Sequence, residues 1–136
     1  MFDKNEIKQK NILALAYYGD AVYELLVRKY LMEHLNGAPH MLHHTTSLIV
    51  CAAAQYEALQ LIEDILLEEE CDIVRRGRNS SKATVPRNST PKYYRAATAL
   101  EALFGYHALE DNNERIEQLF DIISEKQIIG YISRDI

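Results

Sequence analysis

The sequence predicts an all-α domain, and three observations carry that expectation. From Ile12 to Val27 nearly every residue is apolar or aromatic, with no Pro and no β-branched run, and Tyr94 to Leu109 is strongly apolar as well. Such stretches suit helices that belong in a core. Further on, Ile116, Leu119, Phe120 and Ile123 keep the i, i+3, i+4, i+7 spacing of one helix face. Trp is absent, Gly and Pro are scarce, and no alternating strand pattern, hairpin signal or internal repeat stands out. At 136 residues, 48% hydrophobic and 26% charged, the chain is sized for a single domain over 1–136.

Taken in order, Asp3 with Glu6 is a capping pair for a short first helix. The core helix follows from about Ile12 to His34. Asn36-Gly37-Ala38-Pro39 ends it, with Gly as the C-terminal cap and Pro blocking continuation. A helical stretch, bent around Cys51, runs from near His40 to about Leu67. Its Leu48, Cys51, Ala52, Leu59, Ile62, Ile65 and Leu66 mostly keep helical spacing. The acidic run Glu68 to Asp72 opens another short helix ending near Arg76. Gly77 to Thr90 reads as a loop, polar and interrupted by Pro86. Thr90 and Pro91 are a cap and first helical position for the next helix, and Asp111 with Glu114 opens the last. The closing QIIGYISRDI fits either a short helix or a docked tail.

The two apolar helices share a detail that packing alone does not require. Asp20 directly follows Gly19, and Glu101 lies one turn before Gly105. A Gly costs a helix interior roughly 1 kcal/mol relative to Ala, and its usual use is close approach by a backbone or ligand. A carboxylate on a buried helix is costly unless it is paired, hydrogen-bonded or bound to a metal. One reading brings Asp20 and Glu101 together around a divalent cation. The other has each acid capping or pairing with a neighbour such as Arg28, Arg95 or His107. Glu24 shares the Asp20 face. Tyr17, Tyr18, Tyr23, Tyr93 and Tyr94 flank the acidic positions and read mostly as core packing with tethered hydroxyls.

The net charge of −5 argues at first against nucleic acid, but its distribution reverses that. Arg75, Arg76, Arg78, Lys82, Arg87, Lys92 and Arg95 fall in one stretch with no acid, and the remainder carries eight basic and twenty acidic residues. One basic surface on an acidic body suits a polyanionic partner. Arg holds phosphate bidentately and Lys as a point charge, and the stretch directly precedes the Glu101 helix. Phosphodiester hydrolysis with a divalent ion is the chemistry this suggests. His40, His43 and His44 lack a supporting carboxylate at metal-ligand spacing and read as surface or RNA-facing residues. Glycine-rich phosphate motifs, G-x-S-x-G, H-E-x-x-H and C-x-x-C are absent. Cys51 and Cys71 are expected to be reduced core thiols. No apolar run approaches a membrane span and the N-terminus is too polar for a signal peptide, so the expectation is a cytoplasmic protein.

Tyr18-Gly19-Asp20-Ala21-Val22-Tyr23-Glu24-Leu25 resembles the signature of ribonuclease III domains, and Ala99-Leu100-Glu101-Ala102-Leu103-Phe104-Gly105 resembles their second acidic motif. The resemblance extends over nearly the whole chain. With the RRGRN segment and no double-stranded-RNA-binding domain, it is most similar to the Mini-III ribonucleases of bacteria. The resemblance implies the ribonuclease III helical fold and a homodimer that cleaves both strands of double-stranded RNA with Mg2+, for which Mn2+ can substitute. It further implies trimming of precursor large-subunit (23S) ribosomal RNA, with a ribosomal protein or the assembling subunit as a further partner. Asp20 and Glu101 fall on the family's metal-binding, catalytic carboxylates. Larger family members carry two more acids, one turn before each; here those places hold Ala16 and Thr98. The basic loop of about 75–92, with Arg75, Arg76, Arg78, Lys82, Arg87 and Lys92, is the candidate RNA contact. Two rival readings stand beside this one. One is a non-catalytic RNA-binding or ribosome-associated module with an eroded site; the other is a helical metal-dependent hydrolase acting on nucleotides.

Overall fold

A computed structural model describes residues 2–80 and 90–133, and every regular element among them is helical. Asp3 accepts a hydrogen bond from the Glu6 N–H at 2.8 Å and opens α1 (Lys4–Lys8) as the capping pair predicts. Asn11 caps α2 (Ile12–His34) through its side chain. After it come α3 (Pro39–Val50), α4 (Ala52–Ile62), a 3-10 turn at Glu63–Ile65 and α5 (Glu68–Ser80). Then α6 (Pro91–Leu109), α7 (Asn113–Ile123), a π turn at Ser124–Ile128 and α8 (Ile129–Ser133) follow. The all-α expectation holds, and the predicted bend at Cys51 is a full break, with Cys51 extended between α3 and α4.

Three local expectations differ from the structure. No described glycine has a positive φ, so α2 ends with Leu35 turning extended and Pro39 restarting the chain, without a left-handed Gly37. Asp111 does not cap α7. It takes φ 58° and closes α6: its N–H donates to Ala108 O and the Asn112 N–H donates to His107 O, a Schellman end. Asn112 is then the residue whose side chain caps α7, accepting from the Arg115 N–H. Cys51 and Cys71 are free thiols but exposed, so neither is a core residue.

α6 is the central element. From Ala96 to His107 every residue except Glu101 is buried, because α2, α4 and α5 pack around it. α2 is not buried on all sides. It turns Ile12, Leu15, Ala16, Gly19, Tyr23, Val27 and Leu31 inward and leaves Tyr17, Leu25 and Met32 outward, at 83%, 69% and 70% exposure. Tyr23 meets Phe104 and Phe120 edge-on at 5.2 and 5.9 Å. Side chains of this size contribute about 1.5–3 kcal/mol each on burial.

α5 is fastened to α6 and α7 by charge as well as by packing. Glu70 is fully buried; one oxygen lies 2.6 Å from His107 Nε2 and accepts from Arg115 Nε at 2.9 Å. Its other oxygen accepts from Arg115 at 2.7 Å and from the Leu67 N–H at 2.7 Å. Burial alone would push this carboxyl up, but the His107 and Arg115 hydrogen bonds overcome that and hold it at about 2. His107 is thus committed to Glu70, and Glu24 pairs with Arg28 at 2.8 Å. Neither His107 nor Arg28 is engaged by the two carboxylates beside the glycines.

Candidate active site

The two glycines are where α2 and α6 touch. A Cβ on Gly19 would lie 1.6 Å from the Glu101 carbonyl oxygen, and one on Gly105 would lie 2.1 Å from the Leu15 carbonyl oxygen. The contact is reciprocal, each helix pressing its glycine against the other's backbone. Only residues without a side chain permit that approach. Asp20, next after Gly19, is thereby set beside the Glu101 side chain. The structure brings together the two acids that the sequence singled out.

Glu101 is the strained member of the pair. Burial, then the Asp20 carboxyl beside it, push its carboxyl up to about 8, and Gln55 opposes the shift. Glu101 therefore does not ionise readily near neutral pH without a counter-charge. Among the described residues neither acid has a cationic side-chain partner. The donor set fits a hard divalent cation that retains most of its own waters, since magnesium needs only one or two carboxylates. A larger cage is not formed: no group of three or more His, Cys, Asp or Glu is arranged to hold a metal among the described residues. Ala16 is buried and apolar, and the Thr98 hydroxyl donates to Tyr94 O of its own helix at 3.0 Å. His40, His43 and His44 lie exposed on α3.

The basic residues are distributed over two neighbouring clefts. Arg75 and Arg78 line one of about 300 Å³ with Glu63, Leu66, Cys71, Val74 and Asn79. Arg78 also lines a second of about 410 Å³ with Lys92, Arg95, Tyr56, Asn79 and Ala96. Arg75 pairs with Asp72 and Arg78 with Glu63. The Lys92 ammonium sits 4.8 Å over the Tyr56 ring. Arg76 differs from the others. Its guanidinium donates to the carbonyls of Lys8 and Lys10 at 3.0 and 3.3 Å, tying α5 to the α1–α2 junction. The predicted loop begins later than expected, since α5 continues to Ser80. Lys82 and Arg87 lie outside the described residues.

Sequence reasoning misses Gln55. It is 3% exposed on α4 and opposes the upward shift of the Glu101 carboxyl. The one signal for it is a polar residue inside the buried stripe of Ala54, Ala58, Leu59 and Ile62.

Comparison with known proteins gives the family. The ribonuclease III domain model matches residues 13–112. The chain belongs to the ribonuclease III domain family and is, by class, an endoribonuclease. Within that family it falls with the Mini-ribonuclease 3 proteins. It is 41% identical over 118 residues to Mini-ribonuclease 3 of Enterococcus faecalis, covering 85% of this chain and 89% of that protein. It is 37% identical over 123 residues to Mini-ribonuclease 3 of Clostridium tetani, covering 90% and 82%. A crystal structure of protein FN1578 from Fusobacterium nucleatum is similar with a TM-score of 0.78 at 32% identity, covering 89% of this chain and 98% of that one.

Proposed function

We propose that this chain cleaves both strands of double-stranded RNA in a magnesium-dependent reaction, with Asp20 and Glu101 as the catalytic, metal-holding pair. The observation that carries the proposal is the meeting of these two acids at the Gly19–Gly105 contact without a cationic partner among the described residues. A bound divalent ion supplies Lewis acidity at the phosphate and a more acidic water for in-line attack. Asp20 and Glu101 would hold that ion, and the chain's own part is to keep both carboxylates in place on two packed helices. Mn2+ has the same hard-ligand preference and is expected to substitute.

Double-stranded RNA is recognised largely by shape, through phosphates and 2′-hydroxyls across the minor groove. Arg75, Arg78 and Lys92 offer phosphate contacts, and Lys82 and Arg87 extend the same basic stretch. Arg76 is assigned to this set only in part, because its guanidinium already serves the fold. A homodimer is supported by the outward Tyr17, Leu25 and Met32 of α2, since apolar side chains this exposed gain by covering one another. Precursor 23S ribosomal RNA is the proposed substrate, with a ribosomal protein or assembling subunit as partner and the cytoplasm as location. Among the described residues no helix is long and apolar enough to cross a membrane.

The test sets purified protein on long double-stranded RNA with Mg2+, beside Asp20→Asn, with products resolved on a denaturing gel. Discrete fragments from the wild type, lost in chelator and absent with Asp20→Asn, are the expected result. Binding without cleavage by the wild type would instead favour a non-catalytic RNA-binding module.

A further inference from the structure

Three helices converge on the cleft of about 410 Å³ that holds Arg78, Lys92 and Arg95. α5 ends there, α6 begins there, and α4 supplies the Tyr56 ring. The fold satisfies these cations unequally. Arg78 pairs with Glu63, whereas Lys92 and Arg95 form no ion pair among the described residues. The Arg95 Nε is enclosed by protein and has no hydrogen-bond partner there. An enclosed donor on a charged group that lacks an acceptor is a standing cost and calls for a reason. Arg95 therefore does not serve as the partner of either Asp20 or Glu101.

The cleft is nonetheless built rather than loose. Gln60 donates to the Tyr56 hydroxyl at 3.0 Å, and the Tyr93 ring lies 5.0 Å from the Tyr56 ring. The Lys92 ammonium stands 4.8 Å over that same ring. A ring face holds a cation in place without neutralising it. No acid lines the cleft. Two positive charges thus share one concave site whose counter-charge must come from outside it. Arg95 lies six residues before Glu101 on α6, roughly 9 Å along the axis. A polyanion whose charged group sits at the Asp20–Glu101 pair carries further charges along its backbone, and one of them can occupy this cleft.

We propose that Arg95 is an RNA-binding residue that, together with Lys92 placed over Tyr56, holds a backbone phosphate of the RNA near the one that is cleaved. This rests on the double-stranded-RNA reading above. Arg suits a half-enclosed anion site because guanidinium is planar and more weakly hydrated than ammonium. Its task is substrate binding, so it takes no part in the chemical step.

The test is the affinity for a short RNA duplex in chelator, where the metal-dependent reaction is off, over a range of salt, for wild type, Arg95→Gln and Arg95→Lys. Arg95→Gln is expected to bind about 10–100-fold more weakly and to lower the salt slope by about 1. Arg95→Lys keeps the charge and is expected to keep the wild-type slope while binding more weakly than wild type. A residue used only for packing would leave the slope unchanged in both. Should Arg95→Gln fail to fold, Arg95→Lys decides, and wild-type affinity in it would overturn the assignment. An unchanged slope and affinity in Arg95→Gln would overturn the site and leave the double-stranded-RNA reading standing. A second arm follows the Tm of the RNA-free protein with inorganic phosphate at fixed ionic strength. A rise lost in Arg95→Gln, beside an unchanged duplex slope, would make the cleft a free-phosphate site and overturn the RNA assignment. Absence of duplex binding by the wild type would overturn both this site and the reading it rests on.

Discussion

Glu101 interrupts a run of buried α6 residues, with Asp20 beside it and its carboxyl pushed up to about 8. Burial and the neighbouring carboxylate both oppose its charge, so the charged site works against the fold in the absence of a counter-ion. Glu101→Gln removes that opposition while keeping the shape. In chelator at pH 8 the variant is expected to be more stable than wild type by about 1–3 kcal/mol, measured by urea unfolding. Equal or lower stability would mean that the pair is not strained. At this scale the two acids are legible in the sequence because each sits beside a helix glycine, a double penalty that asks for a reason. Gln55 is not, because a Gln among Ala and Leu carries no sign of which distant neighbour it will meet across the fold.

Between elements, the Gly19–Gly105 contact and the Glu70 cluster do different work. The first sets how closely α2 and α6 approach, and hence the spacing of the acids. Gly105→Ala puts a Cβ where the Leu15 carbonyl oxygen stands, 2.1 Å away, and no flexible side chain can yield there. The expected loss is about 3 kcal/mol or more of stability, together with a loss of cleavage, read by thermal melting and by gel. The Glu70 cluster holds α5 to α6 and α7, and its contribution depends on pH. The carboxyl stands at about 2 in the fold against an ordinary value of 4.5, so its stabilisation is complete above about 4.5. It is lost as the pH falls through about 2. Glu70→Gln is expected to cost about 3–5 kcal/mol at pH 7, since Arg115 loses its counter-charge and His107 its carboxylate partner, and to flatten the acid limb of the stability profile. An unchanged acid limb would remove Glu70 as its source. Helix positions are legible from periodicity, but this cluster is not. Its members lie 37 and 45 residues apart, and Arg115 and Glu70 read individually as ordinary surface charges. The turn at Asp111 escapes the sequence for a related reason: Asp serves both as a cap and in the left-handed conformation, and the neighbouring Asn112 takes the capping role.

Across the whole molecule, an acidic body carries one basic stretch, and the described part of that stretch lines two adjacent clefts. Cations that contact phosphate release counter-ions on binding, so their number sets the salt dependence of affinity. Arg75→Gln with Lys92→Gln is expected to weaken double-stranded RNA binding and to lower the salt slope by about 1 for each phosphate no longer neutralised. A parallel slope would place the phosphate-binding cations elsewhere. Arg76 is a poor choice for this measurement, because its removal also frees the carbonyls of Lys8 and Lys10. Charge segregation is readable from composition along the chain, whereas the second task of Arg76 requires the fold. The most direct test of the central claim is a double-mutant cycle on single-turnover cleavage with Mg2+, using Asp20→Asn, Glu101→Gln and the pair together. If the two carboxylates act as one metal site, each single change is expected to lower the rate at least about 100-fold and the second to add little to the first. Losses that multiply, or a single variant within a few-fold of wild type, would contradict it.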